Sequence, residues 1–185
     1  MGKLRVSTFL TLDGVMQAPG DAGEFERGDW QLQFFDEDAG AIAKDGLFAA
    51  DALLLGRVTY EHFAAAWPGM TDEEGFAERM NGIPKFVAST TLTEATWNAT
   101  VIRDLAAEVP NLKRQHHLLV MGSGRLVQAL REHDLVDEYE LWIHPIRLGA
   151  GGRLFEESAE PTTLALTETT TTDKGVTVLT YAVGR

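Results

Sequence analysis

Apolar and polar residues first alternate at Leu4, Val6, Thr8, Leu10 and Leu12, a period of two that predicts a strand with one buried face. Asp13-Gly14 ends that pattern. The stretch from Gln17 to Asp29 is polar, Gly-rich and long for a plain connection, so it reads as a binding loop or lid. From Trp30 to Ala50 the spacing of Trp30, Phe34, Phe35, Ala39, Ile42, Ala43 and Leu47 predicts a helix. Ala52-Leu53-Leu54-Leu55 is a short continuous apolar run, as in a strand covered on both faces. Thr59 offers a capping hydroxyl for a helix through Ala64, which Pro68-Gly69 stops. A shorter helix is predicted over Thr71–Met80, closed by Asn81-Gly82. Strands follow at Lys85–Ala88 and Thr100–Ile102. Asp104 caps a helix beginning at Leu105, and Pro110 is expected to kink or end it. Leu118–Met121 is a fourth buried strand, and Gly122-Ser123-Gly124 turns it into a helix over Arg125–Glu132.

After Asp137 the pattern loses its helices. Tyr139, Leu141 and Ile143, then Leu164 and Leu166, then Val176, Val178 and Tyr181 alternate, with Asp173-Lys174-Gly175 as a hairpin turn between the last two strands. Thr169 to Thr172, β-branched in a row, read as strand. Strand and helix alternate first and strands alone follow. That order predicts one α/β domain over residues 1–185, with a mostly parallel sheet and an antiparallel C-terminal edge.

The 185 residues carry 16 Lys and Arg against 28 Asp and Glu, a formal charge of -12. That balance opposes a nucleic-acid partner and obliges any anionic cofactor to find local cations and backbone donors. The absence of cysteine excludes disulfides, thiolate nucleophiles and zinc-thiolate sites. The N-terminus runs straight into the first strand pattern and no apolar run approaches the ~20 residues of a membrane helix, so a cytoplasmic location is expected. The five histidines show no ligand spacing, no metal site is expected, and His144 before Pro145 reads as structural.

Chemistry is sought where an open α/β sheet binds ligands, at the carboxyl ends of its strands. Gly56-Arg57-Val58-Thr59 joins a strand to a helix with a cation and a hydroxyl, which reads either as an anion site or as an ordinary cap beside a surface arginine. Ser89-Thr90-Thr91 places hydroxyls directly after another strand, where turn formers also belong. Gly122-Ser123-Gly124 precedes a helix and lets the backbone approach a pyrophosphate, although Val127 stands where a full dinucleotide fingerprint has its third glycine. A tight strand–helix turn explains the two glycines as well. Three consecutive strand ends with anion-binding groups suit one extended, phosphate-containing cofactor. Trp30, Phe34 and Phe35 could wall a flat pocket or belong to the core. Asp36, Glu37 and Asp38 open the first helix as ordinary dipole partners or as substrate carboxylates.

Leu53 to Glu61 resembles the strand–turn–helix of dihydrofolate reductase-like proteins. Pro84 to Ser89, Val120 to Gly124, Leu135 to Glu138 and His144 to Phe155 are similar, in order and spacing, to the C-terminal reductase domain of the bifunctional riboflavin-biosynthesis deaminase-reductase and its stand-alone relatives. The resemblance runs from Lys3 to about Val183. It implies a dihydrofolate reductase-like three-layer fold with helices on both faces of the sheet, NADPH as hydride donor, a small heterocyclic substrate and a homodimer. By position, Gly56, Arg57 and Thr59 would meet the phosphates, with Arg57 at the adenosine 2′-phosphate. Ser89 would lie by the adenosine ribose, with Thr90 beside it. Gly122, Ser123, Gly124, Arg125 and Leu126 would pass under the pyrophosphate and nicotinamide side. Asp13 and Gly14 would stand at the mouth where substrate and nicotinamide meet, with Asp13 the candidate catalytic group that hydrogen-bonds a substrate amine or imine.

Two residues depart from the family pattern. Thr90 replaces a basic residue that many relatives carry after the serine, which weakens the expected 2′-phosphate site. Met121 replaces an acidic residue usual in riboflavin-pathway reductases just before the glycines. The expectation is therefore an NADPH-dependent reductase of a pterin-like or pyrimidine-like heterocycle. The alternatives are a 5-amino-6-(5-phosphoribosylamino)uracil reductase of riboflavin biosynthesis, and a non-catalytic nucleotide- or heterocycle-binding module on the same fold.

Overall fold

Strand β1 (Leu4–Thr11) buries alternate residues as its pattern requires, and Leu12, just past its end, is 72% exposed. Leu12 therefore leaves the expected alternation: it lies in the turn, where its amide donates to Ile146 C=O at 2.8 Å. The computed structural model describes residues 2–21, 23, 25–155 and 161–184. A short 3₁₀ turn (Leu32–Phe34) precedes helix α1 (Glu37–Ala49), whose first residue follows the Asp36 cap. The helix expected from Trp30 thus begins seven residues later. The Asp36 carboxylate accepts the Ala39 amide at 2.8 Å, and this side-chain cap ends the intrahelical pattern where periodicity alone would extend it.

Strand β2 (Ala52–Gly56) leads into α2 (Arg57–Ala66), and α3 (Phe76–Gly82) into β3 (Lys85–Ala88). Helix α3 starts later than expected because the Asp72 carboxylate, four residues before it, collects the amide of Glu74 and those of the first helical residues, Phe76 and Ala77. Strand β4 (Ala99–Ile102), α4 (Leu105–Lys113), β5 (Leu118–Met121), α5 (Gly124–Glu132), β6 (Glu138–His144), β7 (Leu164–Thr171) and β8 (Thr177–Val183) complete the chain. Asp104 caps α4 at 3.0 Å as expected, but Pro110 does not end it. Helix α4 runs three residues further because Val109 and Lys113 are buried, and their packing outweighs the one hydrogen bond that a proline removes.

The sheet order is β4-β3-β2-β5-β1-β6-β8-β7. Strands β4 to β6 run parallel, and β8 and β7 close the other edge as an antiparallel hairpin through Gly175 at φ 80. Leu53, Leu55 and Val87 face α1, α2 and α3 through Leu47, Tyr60 and Met80. Ala52, Leu54, Val6 and Val120 face α4 and α5 through Val109, Val127 and Leu130. The result is the expected three-layer fold. Among the described residues no helix is long and apolar enough to cross a membrane.

The connections explain where a ligand belongs. From β1 to β4 each crossover steps toward one edge of the sheet; from β4 to β6 the steps reverse. Crossovers between parallel strands keep one hand, so the reversal carries α4 and α5 to the opposite face from α1, α2 and α3. Strand β5 therefore sits between β2 and β1, whose following helices lie on the other face. A crevice opens at the carboxyl end of β5 between helices that diverge, which is the position where such sheets bind nucleotides.

Candidate functional site

Gly122 and Ser123 leave β5 with φ of 58 and 59 before α5 begins. Only glycine adopts that conformation freely, and a Cβ at Gly122 would point into open space. Ser123 holds it at a cost. Its hydroxyl accepts the Gly56 amide at 3.0 Å and reaches Thr59 Oγ1 at 2.9 Å. One side chain thus fastens the end of β5 to the end of β2. Neither α2 nor α5 has a side-chain cap, so the first amides of both helices face the crevice without a capping acceptor. Two helix N-termini converge there, an arrangement that favours phosphate oxygens.

The expected roles divide accordingly. Thr59 is not the cap of α2, which starts at Arg57 behind Gly56; its hydroxyl is instead taken by Ser123 from the neighbouring turn. Gly56 lies against Ser123 and Leu126. Leu126 is buried in the core beneath, so only its backbone can meet a ligand, whereas Arg125 is exposed. Arg57 Nη1 donates to both carboxylate oxygens of Glu61 at 3.0 Å, an i,i+4 pair on the exposed surface of α2. Ser89 Oγ accepts the amides of Thr91 and Leu92 at 3.2 and 3.0 Å, folding the residues after β3 into a tight turn that leaves Thr90 exposed.

At the end of β1 the Asp13 carboxylate accepts the Thr11 hydroxyl at 2.6 Å and the amides of Leu148 and Gly149 at 3.2 and 2.8 Å. Those donors, the Thr11 hydroxyl foremost, pull its pKa down to about 2. At neutral pH Asp13 is therefore an ionised acceptor and not a proton donor. It ties the residues after β1 to residues 146–153, as do Met16 N–H to Gly152 C=O at 2.9 Å and Gly152 N–H to Gln17 Oε1 at 3.0 Å. Gly151, at φ 122, admits no side chain: a Cβ there would lie 2.6 Å from Val15 Cγ1. Gly14, at φ 80, faces open space beside this seam.

Of its two expected places, pocket wall or core, Trp30 takes the core. It is 3% exposed, its indole N–H donates to Gln17 C=O at 3.0 Å, and its ring packs edge-on to His144 with centroids 5.1 Å apart. Half-buried Phe34 packs on the same imidazole from 5.9 Å. His144 is structural as expected, with Nδ1 between the carbonyls of Trp142 and Leu10 and with burial lowering its pKa. Asp36 and Asp38 are engaged as well. The Asp36 carboxylate accepts Lys174 N–H at 2.9 Å and Asp38 accepts Asp173 N–H at 3.3 Å, so the β7–β8 turn rests on the start of α1.

Two residues near the site carried no signal in the pattern. Met16 lies over the first turn of α5, its sulfur 3.1 Å from where a Gly124 Cβ would stand. Arg103, just after β4, donates from both terminal nitrogens to the carbonyls of Ser89 and Leu92. Both depend on contacts between residues far apart in the chain.

Comparison with known proteins agrees with this fold. The chain is 30% identical to the Bacillus subtilis (strain 168) protein YyaP over 178 residues, covering 93% of this chain and 90% of that protein. Its fold matches that of a protein ascribed to riboflavin biosynthesis from Shewanella sp. PV-4, with a TM-score of 0.77 at 22% identity over 99% of both chains. It also matches a pyrimidine reductase-like protein from Corynebacterium diphtheriae, with a TM-score of 0.70 at 13% identity over 100% of this chain and 92% of that one. The RibD C-terminal domain model matches residues 2–178. The strand-end turns fall inside that span, and the chain belongs to the RibD C-terminal domain family.

Proposed function

We propose that this protein is an NADPH-dependent reductase that delivers hydride to a pterin-like or pyrimidine-like heterocycle. The observation that carries the proposal is the Ser123 clamp. It holds the uncapped N-termini of α2 and α5 together at the one strand end flanked on both sides by connections to the opposite face. Membership of a reductase-like domain family and the likeness to a pyrimidine reductase-like protein support the same reading.

The residues present fit the cofactor. The amides at the start of α5, with the open space above Gly122, suit a pyrophosphate, and the turn at Ser89-Thr90 suits the adenosine ribose. Gly56, Arg57 and the start of α2 face the phosphates from the other side. Bound NADPH supplies the hydride. Asp13, ionised and fixed by three donors, orients a substrate N–H at the mouth beside Gly14. The same reading includes a homodimer, which light scattering on the eluted protein tests.

Quenching of the four tryptophans during titration with NADPH measures cofactor binding, and loss of reduced-nicotinamide absorbance with added pyrimidines or pterins measures turnover. Binding with turnover supports the reductase, and turnover of 5-amino-6-(5-phosphoribosylamino)uracil narrows it to the riboflavin pathway. A second reading, a binding module without catalysis, is favoured by the engagement of Asp13, Asp36 and Asp38 in backbone contacts. Binding without oxidation of NADPH by any acceptor would establish that module instead.

A further inference from the structure

We infer that Arg103 is the specificity residue for a ribose 2′-phosphate, supplying from the neighbouring strand the positive charge that Thr90 does not. The inference rests on the NADPH reading above and assigns a group to one end of that site.

Strand β4 runs parallel to β3 with Ile102 opposite Ala88, so the next residue of each strand, Arg103 and Ser89, emerge side by side at the carboxyl edge. The Ser89 amide donates to Ile102 C=O at 3.2 Å, which fixes that proximity. From there the Arg103 guanidinium reaches across the turn and donates to the carbonyls of Ser89 and Leu92. Two of its five N–H donors are engaged, which leaves three for an anion while the plane of the group is already held. The residue is exposed.

Charge separates Arg103 from the arginine that the sequence favoured. Arg57 shares an exposed i,i+4 ion pair with Glu61, its Nη1 donating to both carboxylate oxygens. Among the described residues no carboxylate forms an ion pair with Arg103. Glu108 lies close by, but its Oε1 is occupied by the backbone amides of Arg103 and Asp104 at 2.7 and 2.9 Å. Ser89 Oγ accepts two amides and lies 3.5 Å from Thr91 Oγ1, and Thr90 is exposed at the same turn. Two hydroxyls and an unneutralised guanidinium around one turn suit a phosphomonoester dianion. In a chain of charge -12 such an anion needs a fixed local cation.

The test is the affinity of wild type and of Arg103→Gln for NADPH and NADH by tryptophan quenching. The loss of charge-assisted hydrogen bonds should weaken NADPH by about 10- to 100-fold and leave NADH unchanged. Thr90→Lys added to Arg103→Gln should restore the preference for NADPH by returning a cation to the turn. Equal weakening of both nucleotides, with no rescue by Thr90→Lys, would show that Arg103 only holds the turn and would overturn the inference. So would unchanged NADPH affinity. Wild-type protein that binds both nucleotides equally refutes the 2′-phosphate assignment while sparing the cofactor site; wild-type protein that binds neither refutes the cofactor reading itself, and the inference with it.

Discussion

Ser123 is asked to do two opposed things, and substitution separates them. Its backbone sits at φ 59, where a non-glycine residue costs about 1–2 kcal/mol. Its hydroxyl meanwhile joins Gly56 N–H and Thr59 Oγ1, a gain of about 1 kcal/mol, with a penalty if the amide is left unpaired. Ser123→Ala keeps the strained backbone and loses the hydroxyl, so it should lower stability by about 1–2 kcal/mol, on the order of 2–8 °C in Tm for a chain of this size. Ser123→Gly also loses the hydroxyl but relieves the strain, offset by about 0.5–1 kcal/mol of added chain entropy. Those contributions nearly cancel, and Ser123→Gly should melt close to wild type. NADPH affinity should follow a different order. Both variants release the two helix N-termini from each other, so both should bind NADPH more weakly, whatever their stability. Urea and thermal melts followed by tryptophan quenching read both quantities on the same samples. The reasoning fails if Ser123→Gly is the less stable of the two, or if it binds NADPH as tightly as wild type.

Four further outcomes are expected. Lys113 is buried with its ammonium on Asp137 and 3.2 Å from Leu135 C=O, so Asp137→Ala should cost about 3–5 kcal/mol by stranding that charge, visible as a lower urea midpoint. Gly151→Ala forces a Cβ onto Val15 and should lower Tm and open the seam between residues 13–17 and 146–153, read as faster amide exchange at Met16 and Gly152. Asp13 has a folded pKa of about 2 against 3.8 for the free group, so its contribution is complete above pH 3.8 and lost as pH falls toward 2; Asp13→Asn should flatten that part of the acid-melting curve. Lys85, 1% exposed over the face of Trp97, has its pKa pushed down by burial to about 8 from 10.5. Between those pH values the unfolded chain alone holds the proton, so stability should rise with pH there and cease to do so in Lys85→Met.

Much of the fold can be read in the chain because the relevant signals are local. The run Ala52–Leu55 announces a strand buried on both faces, and each face proves to be covered by helices. Asp104 announces a cap that forms with the third residue beyond it. Where the reading fails, a group from elsewhere in the chain has taken the atom that local chemistry would have used. Thr59 has the right residue type and position for a cap, yet its hydroxyl faces Ser123, 64 residues away. Trp30 and Phe34 continue the apolar period of α1 but pack on His144 from outside the helix. Pro110 should stop α4, but burial of Val109 and Lys113 holds the helix together past it. At the site, glycines and hydroxyls at strand ends were visible as types; the bonds between one strand end and the next were not, since Arg103 reaches Ser89 and Leu92 only after β3 and β4 have paired.

The same rule bears on the chemistry. Of the acids the sequence offers near a substrate, Asp13, Asp36 and Asp38 each have oxygens occupied by amide donors. Of the two Asp13 oxygens, Oδ1 receives two donors and Oδ2 one, so Oδ2 retains a lone pair for a further N–H. On the proposed reading, a carboxylate in that state would pair with a substrate rich in ring and exocyclic N–H groups, as pyrimidines and pterins are. It cannot supply a proton at neutral pH. If hydride is transferred here, the proton that completes the reduction has to come from solvent or from the heterocycle itself, and the rate should then show no titration attributable to Asp13 between pH 5 and 8.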